Sequence, residues 1–382
     1  MKSLKFTLIF KLFIYTLIII NSKVSCAFQI SLFNQINSKY KDNNLIISPL
    51  SIFQAISLVT NGANGETQKE LLKLLDDKKI EEINMINNEI LKKIKDDSSL
   101  EIANAIMSKV SFLNDFKNLA NSSYNSEILP LKSVNQVNKW CDKNTHGKIN
   151  HIIDQLDPLT YMLIINVVYF KGEWAIQFEK NLTRKNIFYN FNKKQKNIDT
   201  MEITSYFNYF EDSNLQAVEL RYKTKSISAL IILPNDKLNI NELIEIFDKD
   251  NSYFYSIVNC LNKYEVDLRL PKFELSYSTQ LKEVLKIMGV NLPFEKNADF
   301  SKLRIQNDIK INEIIHKTYL KVDEQSTEAA AVTVVGMETT CALEEKEIYF
   351  MNVNRPFLFI LRNYNLPKNY DIVFISKIEE LK

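Results

Sequence analysis

Glycine, histidine and cysteine are scarce in this sequence, and their placement argues against several kinds of chemistry. The six glycines lie at positions 62, 65, 147, 172, 289 and 336. None of them forms a phosphate-cradling or dinucleotide-binding pattern, so nucleotide chemistry is not expected. The three histidines, His146, His151 and His316, are not grouped with cysteines or carboxylates at ligand spacing, which predicts no metal site and no cofactor. No Gly-x-Ser-x-Gly nucleophile elbow is present, and we expect a protein that is not an enzyme.

A strong charge bias and an internal linker are also missing. The 382 residues include 48 Lys and Arg against 46 Asp and Glu, so a nucleic-acid partner is not indicated. No stretch rich in proline, glycine or serine divides the chain. A chain of this length, 46% of it hydrophobic, can bury a large core, and one domain over residues 27–382 is the simplest expectation.

The N-terminus has the pattern of a secretory signal peptide over residues 1–26. A basic lead with lysines at positions 2, 5 and 11 accompanies the short apolar run 12–20, and Val24-Ser25-Cys26 offers small residues for cleavage before Ala27. A signal anchor is the alternative, but the run is well short of the roughly 20 apolar residues that span a bilayer. We expect a secreted protein with no membrane segment after cleavage.

Two further features bear on the secretory route. The triplets beginning at Asn121 and Asn181 are glycosylation sequons, which predicts a glycoprotein. Cleavage would leave Cys141, Cys260 and Cys341, too few for a disulfide framework. At least one thiol therefore stays free or pairs with another molecule.

Hydrophobic periodicity predicts helices early in the chain and strands late. Helical patterns begin near Ile52 and cover 66–75, 80–94 and 137–148, the last ending at Gly147. The run 163–170 is continuous and β-branched, which is typical of a central strand covered on both faces. Further strands are predicted at 217–220, 227–233, 266–270, 319–322, 357–361 and 372–378. This order indicates an α+β domain built on large sheets.

Several motifs, in the same order along the chain, resemble the serpin family over nearly the whole mature sequence. The stronger ones are Asn44-Leu-Ile-Ile-Ser-Pro-Leu-Ser-Ile52, Asn166-Val-Val-Tyr-Phe-Lys-Gly-Glu-Trp174 and Leu270-Pro-Lys-Phe273. Weaker ones are Asn297-Ala-Asp-Phe-Ser301, Asn354-Arg-Pro-Phe-Leu-Phe359 and Phe374-Ile-Ser-Lys377. The resemblance implies a serpin fold with a large, mostly antiparallel main sheet, smaller sheets, eight or nine helices and an exposed reactive loop at about 324–352.

The resemblance also implies a function, that of a serine protease inhibitor acting as a suicide substrate. A target protease attacks a bait bond in the reactive loop, forms the acyl-enzyme, and is trapped when the cut loop inserts into the main sheet as a new strand. We expect a monomer. A non-inhibitory serpin (a carrier or chaperone) and a cross-class inhibitor of cysteine proteases are the alternatives.

The residues after Glu324 match the hinge of that loop. Whether the loop can insert depends on which side chains would face the core when these residues form a strand. The hinge residues are Glu324, Ser326, Thr327, Glu328, Ala329, Ala330, Ala331, Val332 and Thr333. In a strand, Thr327 and its alternate neighbours point one way and are small or uncharged, while Glu328 points the other way into water. A helix start would also suit Thr-Glu-Ala-Ala-Ala, but the β-branched residues that follow disfavour it. Ser326 replaces a glycine common at the hinge.

Two other groups of residues match serpin positions. Ser48, Ser51, Asn166 and His316 match a polar cluster beneath the sheet, where the strands part to admit the loop. Glu324 and Lys272 match an ion pair at the top of the sheet above Trp174. As a surface pair it would be worth only about 0 to 1 kcal/mol, so its expected role is positional or kinetic.

The bait bond is predicted at Thr340-Cys341, because Thr340 lies 16 residues after Glu324, the spacing that the resemblance implies. Met337, Leu343 and Lys346 are alternatives. Thr or Met before the cut predicts elastase-like or chymotrypsin-like proteases, and Lys346 a trypsin-like one. The lysines at 92, 93 and 95 are followed by Asp96 and Asp97, which favours a solvated helix face over a glycosaminoglycan site.

Overall fold

The computed structural model describes residues 27–95, 99–324 and 347–382. The predicted signal peptide, the hinge after Glu324 and the predicted bait bond Thr340-Cys341 lie outside the described residues.

The described residues form nine α-helices, and the predicted early helices are among them. They are α1 (Ala27–Lys39), α2 (Pro49–Gly62), α3 (Gly65–Leu74), α4 (Ile80–Lys95), α5 (Asn114–Tyr124), α6 (Val134–Lys143), α7 (Ile240–Lys249), α8 (Asn251–Cys260) and α9 (Lys282–Ile287). Lys180–Leu182 and Leu292–Phe294 are single turns of 3₁₀-helix.

Fourteen strands lie in the same ranges, and each strand expected from the sequence is present. They are β1 (Leu45–Ile47), β2 (Leu100–Ser108), β3 (Ser126–Pro130), β4 (Met162–Phe170), β5 (Arg184–Tyr189), β6 (Gln195–Glu211), β7 (Leu215–Arg221), β8 (Ile227–Pro234), β9 (Asn262–Pro271), β10 (Phe273–Gln280), β11 (Glu313–Val322), β12 (Ile348–Asn352), β13 (Phe357–Asn363) and β14 (Ile372–Ile378). Half of them, β1, β2, β3, β5, β6, β10 and β12, were not expected.

These strands form two sheets, which confirms the α+β expectation. The larger has nine strands in the order β1-β14-β13-β8-β7-β6-β9-β12, with β5 paired to β6. It is antiparallel except where β12 runs parallel to β9. The smaller has five strands in the order β10-β11-β4-β2-β3 and is mixed, because β11 pairs with β4, and β2 with β3, in parallel.

The five-stranded sheet is covered on both faces. On its inner face Ile164 and Val168 of β4 join the main hydrophobic core, to which α2 also belongs. On its outer face Leu163, Ile165 and Val167 of β4 pack in a second apolar cluster with Trp140 of α6. Successive strand residues alternate between the two faces, so the continuous apolar run predicted as a central strand is explained.

The predicted end of α6 was wrong. The helix starts at Val134, where Ser133 caps it by accepting a hydrogen bond from the Gln136 amide, and it ends at Lys143 rather than near Gly147. Gly147 has φ of +77°, but it lies in the turn after the helix, where the Asp142 carbonyl accepts its amide hydrogen at 2.9 Å. A glycine able to adopt a left-handed conformation marks a turn as readily as a helix end.

Candidate functional site: the closed five-stranded sheet

The site is the seam between β4 and β11, two parallel strands that are direct neighbours. Their register runs from Glu313 opposite Leu163 to Leu320 opposite Phe170. Both strands therefore end at the same edge of the sheet, here called the top. The chain leaves β11 at this top, and Glu324 is the last residue described before 325–346.

Helix α2 sets the position of the polar cluster beneath this seam. Ser48 caps the helix, since its side chain accepts a hydrogen bond from the Ser51 amide at 3.3 Å, and Pro49 occupies the first turn. Serine at the cap followed by proline is a strong helix-start pattern. The start of α2 therefore places Ser48 and Ser51 against the inner face of the sheet.

The structure brings all four predicted cluster residues together, and each is completely buried. The Ser48 amide donates to His316 Nε2 at 3.0 Å. Since Nε2 must then be the acceptor, the proton of the neutral ring lies on Nδ1, which contacts Asn166 Oδ1. His316 and Asn166 are opposite residues in the β11–β4 register, so one hydrogen bond joins the two strands beneath the seam.

Asn166 extends the network beyond the predicted set. Its Nδ2 atom lies 3.3 Å from the Ser51 carbonyl and also contacts Ser51 Oγ and Asn104 Oδ1. Asn104 is opposite Asn166 in the β2–β4 register. Sequence reasoning missed Asn104, and its only signal was a lone amide in a run of mostly apolar residues, since β2 itself was not predicted.

Burial fixes the charge state of the cluster. Removal of the ring from water lowers the pKa of His316 to about 3, because a buried imidazolium loses its hydration. The neutral ring satisfies both neighbours, whereas protonation at Nε2 would abolish acceptance from Ser48. The cluster is therefore a neutral hydrogen-bonded network at physiological pH.

At the top of the sheet, Trp174 closes the end of the seam. The indole is 1% exposed, and its Nε1 donates to the Asp323 carbonyl at 2.9 Å. One face stacks on Tyr222 with ring centroids 4.2 Å apart. Trp174 therefore holds the residue next to Glu324, where the hinge begins.

Glu324 and Lys272 form the predicted ion pair, at 2.8 Å, but not at the surface. The Glu324 side chain is only 6% exposed, against 34% for Lys272. Thr183 also donates to Glu324 Oε1 at 2.7 Å. Burial alone would raise the pKa of Glu324, but the hydrogen bonds from Lys272 and Thr183 outweigh it and lower the pKa. The expectation of a weakly held surface pair was wrong, and Thr183 was missed because it lies in a segment without periodicity.

A second contact across the seam, also missed, lies on its outer face. Tyr169 and Tyr319 are opposite in the β4–β11 register, and their rings stack with centroids 5.8 Å apart. Both belong to the apolar cluster beneath α6. Parting the strands therefore requires separation of this ring pair as well as of His316 and Asn166.

The remaining predicted positions are dispersed over the surface. Asn121 in α5 and Asn181 in the 3₁₀ turn are exposed, so both predicted glycosylation sites are accessible. Lys93 of α4 pairs with Glu89 at 2.6 Å, as expected of a solvated helix face. Within the described ranges no group of three or more His, Cys, Asp or Glu residues could hold a metal ion, and no helix is long and apolar enough to span a bilayer.

The two cysteines that can be located are far from equivalent. Cys141 lies on the buried face of α6, where burial raises the pKa of its thiol to about 12, and Cys260 is partly exposed. Both are free thiols. The hinge from Ser326 onward and the Thr340-Cys341 bond stay predictions, since they lie outside the described part of the chain.

Comparisons with known proteins agree with this architecture. The family profile described as "Serpin (serine protease inhibitor)" matches residues 23–380. The chain is 31% identical over 357 residues to "Intracellular coagulation inhibitor 2" of Tachypleus tridentatus, covering 88% of this chain and 86% of that protein. It is 30% identical over 356 residues to "Leukocyte elastase inhibitor" of Xenopus tropicalis, covering 88% and 93%.

A solved structure gives the same result at the level of the fold. The thermophilic serpin tengpin, in its native state, superposes with a TM-score of 0.82 at 30% identity and covers 94% of this chain and 93% of its own. The expected family and fold are therefore confirmed: this chain belongs to the serpin family.

Proposed function

We propose that this serpin is a secreted inhibitor of serine-type endopeptidases that traps its target as an acyl-enzyme. The observation that carries the proposal is the seam: β4 and β11 are parallel neighbours, and the chain leaves β11 at its top. A strand placed between them can be antiparallel to both if the chain reverses after Glu324. Its backbone groups would then pair on both sides.

The lengths agree with this movement. The segment from 325 to the predicted bait residue Thr340 has 16 residues, which span about 50 Å as a strand, whereas the ten residues of β11 span about 33 Å. The cut segment is therefore long enough to run the whole seam. In that strand Thr327 and its alternate neighbours would face the core and Glu328 would face water.

The protease carries out the chemical step, and the serpin provides the peptide bond that is cleaved. The protease serine attacks the Thr340 carbonyl, the peptide bond to Cys341 breaks, and the new amine of Cys341 takes the proton. The protease is then held as an ester on Thr340 at the end of the segment that inserts. Insertion would move that end, with the protease attached, to the opposite edge of the sheet. The active site of the protease would be distorted by this movement, so the ester would not be hydrolysed.

The residues at the seam would control when it opens. The His316–Asn166 hydrogen bond and the Tyr169–Tyr319 stack hold the strands together, so insertion must break both. Lys272, Thr183 and Trp174 hold Glu324 and the residue before it, which fixes the point where the chain reverses. We assign these residues positioning roles, since none of them touches the reacting bond.

The finer features of the proposal rest on the sequence. Residues 1–26 would be removed as a signal peptide, leaving one domain over 27–382 with glycans at Asn121 and Asn181. The loop, expected at about 324–352, would end before Ile348, because residues 348–352 form β12 of the nine-stranded sheet. One relative is named an intracellular inhibitor, so N-terminal sequencing of the protein exported by a secretory host is needed. An N-terminus at Ala27 would support secretion.

Thr340 before the cut favours an elastase-like or chymotrypsin-like target, and a relative named leukocyte elastase inhibitor supports the first. A serpin that has lost the trap, as a carrier or chaperone, is the rival. A bulky or charged residue at a hinge position predicted to face the core would favour it, but Thr327, Ala329 and Ala331 are small. Inhibition of cysteine proteases is a further alternative.

The test is incubation of the purified chain with a panel of serine proteases, followed by a denaturing gel and mass analysis of the released C-terminal peptide. Trapping predicts a protease–serpin band that survives denaturant, and a 42-residue peptide beginning at Cys341. Cleavage of the loop by every protease, with no such band, would contradict inhibition. A peptide beginning elsewhere would move the bait bond.

A further inference from the structure

The junction between α2 and α3 contains both Asn-Gly pairs of the chain, Asn61-Gly62 and Asn64-Gly65. An asparagine followed by glycine is prone to deamidation, because glycine has no Cβ to hinder attack of its amide nitrogen on the asparagine side chain. The two pairs are chemically alike, but the fold places them in different surroundings. No step of the proposed trapping mechanism uses either pair.

Asn61 is held firmly at the end of α2. Its Nδ2 atom donates to the Ser57 carbonyl and to Tyr124 Oη, each at 2.9 Å, and its Oδ1 atom accepts from Asn84 at 2.9 Å. Gly62 is the last residue of the helix, so its amide donates to the carbonyl four residues earlier. Attack of that amide on Asn61 would require the last turn of α2 to unwind.

Asn64 and Gly65 are exposed instead. Asn64 precedes α3, and its side chain does not cap the helix. Gly65 is the first residue of α3, so its amide is one of the four that have no acceptor inside the helix. A Cβ added to Gly65 would meet nothing among the described residues closer than a carboxylate oxygen of Asp299, at 3.6 Å. The Gly65 nitrogen is therefore unhindered.

The Asn64 side chain has a partner in Asp299, whose carboxylate accepts a hydrogen bond from it. Water competes for both groups at this exposed position. This contact therefore restrains the carboxamide less than the buried network restrains Asn61.

We propose that Asn64 is a site of spontaneous deamidation. The Gly65 nitrogen attacks Asn64 Cγ, the carboxamide nitrogen takes the proton of the Gly65 amide and leaves as ammonia, and a cyclic imide remains. Water then opens the imide at one of its two carbonyls. Opening at Cγ gives aspartate, and opening at the former main-chain carbonyl gives isoaspartate, in which the main chain runs through Cγ.

Both products would weaken the contact of α3 with the segment around Asp299. The Asn64 amide donates to the Asp299 carbonyl at 2.9 Å, and the Asn64 carbonyl accepts from Gln68 at 3.1 Å. In isoaspartate an extra carbon enters the main chain between these two groups and α3. Either product also places a carboxylate where the Asn64 side chain donates to the Asp299 carboxylate, so like charges meet. The deamidated chain should therefore be less stable.

The test ages the full mature chain in mildly alkaline buffer and follows both asparagines by mass analysis of their peptides. In the folded chain we expect Asn64 to deamidate at least about tenfold faster than Asn61, because reaction at Asn61 must wait for α2 to open. In urea the two residues should react at similar rates, since both are followed by glycine. Enzymatic methylation of isoaspartate identifies the second product.

Asn64→Ser is the matched control, because serine is a good residue before a helix and cannot form the imide. Ageing should lower the melting temperature of the unaltered chain by about 1 to 3 °C and leave that of Asn64→Ser unchanged. Equal rates at Asn61 and Asn64 in the folded chain, or reaction of Asn64 only in urea, would overturn the site. An equal loss of melting temperature in both proteins would overturn its effect on stability.

Discussion

His316 of β11 and Asn166 of β4 are joined by a hydrogen bond from Nδ1 to Oδ1 beneath the seam where the two parallel strands meet. The same imidazole accepts the Ser48 amide at Nε2, so both ring nitrogens are used only while the ring is neutral. This geometry links the closed state of the sheet to the protonation of one side chain.

The stability of the fold should therefore depend on pH through His316. Its pKa is about 3 in the fold and about 6.5 when unfolded. Above pH 6.5 neither state is protonated, but below it only the unfolded chain binds the proton. The free energy of unfolding should then fall by about 1.4 kcal/mol per pH unit between pH 6 and 4 from this group alone.

Urea unfolding of the unaltered chain and of His316→Gln, from pH 7 to 4.5, measures this dependence. In the variant, the slope of the free energy of unfolding against pH should be smaller by the contribution of about one proton, whatever the absolute stability of the variant. His151→Gln is the control, because it makes the same substitution at an exposed histidine. Equal slopes in His316→Gln and the unaltered chain would contradict a neutral, buried His316.

Loss of Lys272 should destabilise the fold more than loss of an ordinary surface lysine. Lys272→Met leaves the carboxylate of Glu324, whose side chain is 6% exposed, with Thr183 as its remaining side-chain donor. We expect a cost of about 1 to 3 kcal/mol in the free energy of unfolding. Lys185→Met is the matched control, because Lys185 and Asp199 are both exposed and such pairs are worth less than about 1 kcal/mol.

A double variant checks the origin of that cost. Lys272→Met with Glu324→Gln removes the charge that the single variant leaves unpaired, so it should recover part of the lost stability. If Lys272→Met is no more harmful than Lys185→Met, or if the double variant recovers nothing, the ion pair does not stabilise the top of the sheet.

A charge at Thr327 should turn the inhibitor into a substrate. In the predicted register Thr327 faces the core early in the inserted segment, and a buried unpaired guanidinium costs several kcal/mol. Thr327→Arg should be cut at the bait bond at an unchanged rate but form little or no denaturant-resistant complex on a gel. Glu328→Arg is the control, because the same predicted register points position 328 into water, so this variant should still trap. Equal trapping by both variants would refute the predicted register.

The sequence predicted the framework better than the connections within it. The continuous run of β4, the capped start of α2 and the ordered motifs identified the central strand, a buried helix and the family. Strands such as β6 were missed, because its 17 residues mix polar and exposed aromatic positions and lack a clean alternation.

Within the site, the four cluster residues could be named in advance because they match a family pattern. Asn104 and the Tyr169–Tyr319 stack could not, since each depends on which strands become neighbours. Thr183 could not either, because it lies in a segment without periodicity. The burial of Glu324 was likewise invisible, because a glutamate at the end of a strand is usually solvated. These contacts depend on how strands that are distant in the sequence pair with one another, and local sequence patterns do not predict that pairing.

The most direct test of the trap is a reversible lock across the seam. Tyr169→Cys/Tyr319→Cys places two thiols on opposite residues of β4 and β11, and neighbouring strands lie about 4.8 Å apart, within the range that a disulfide bridges. Insertion between locked strands is impossible. With a protease that the unaltered chain traps, the oxidised variant should only be cleaved, whereas its reduced form should give the denaturant-resistant complex. Equal trapping by the oxidised and reduced forms would contradict insertion of the loop between β4 and β11.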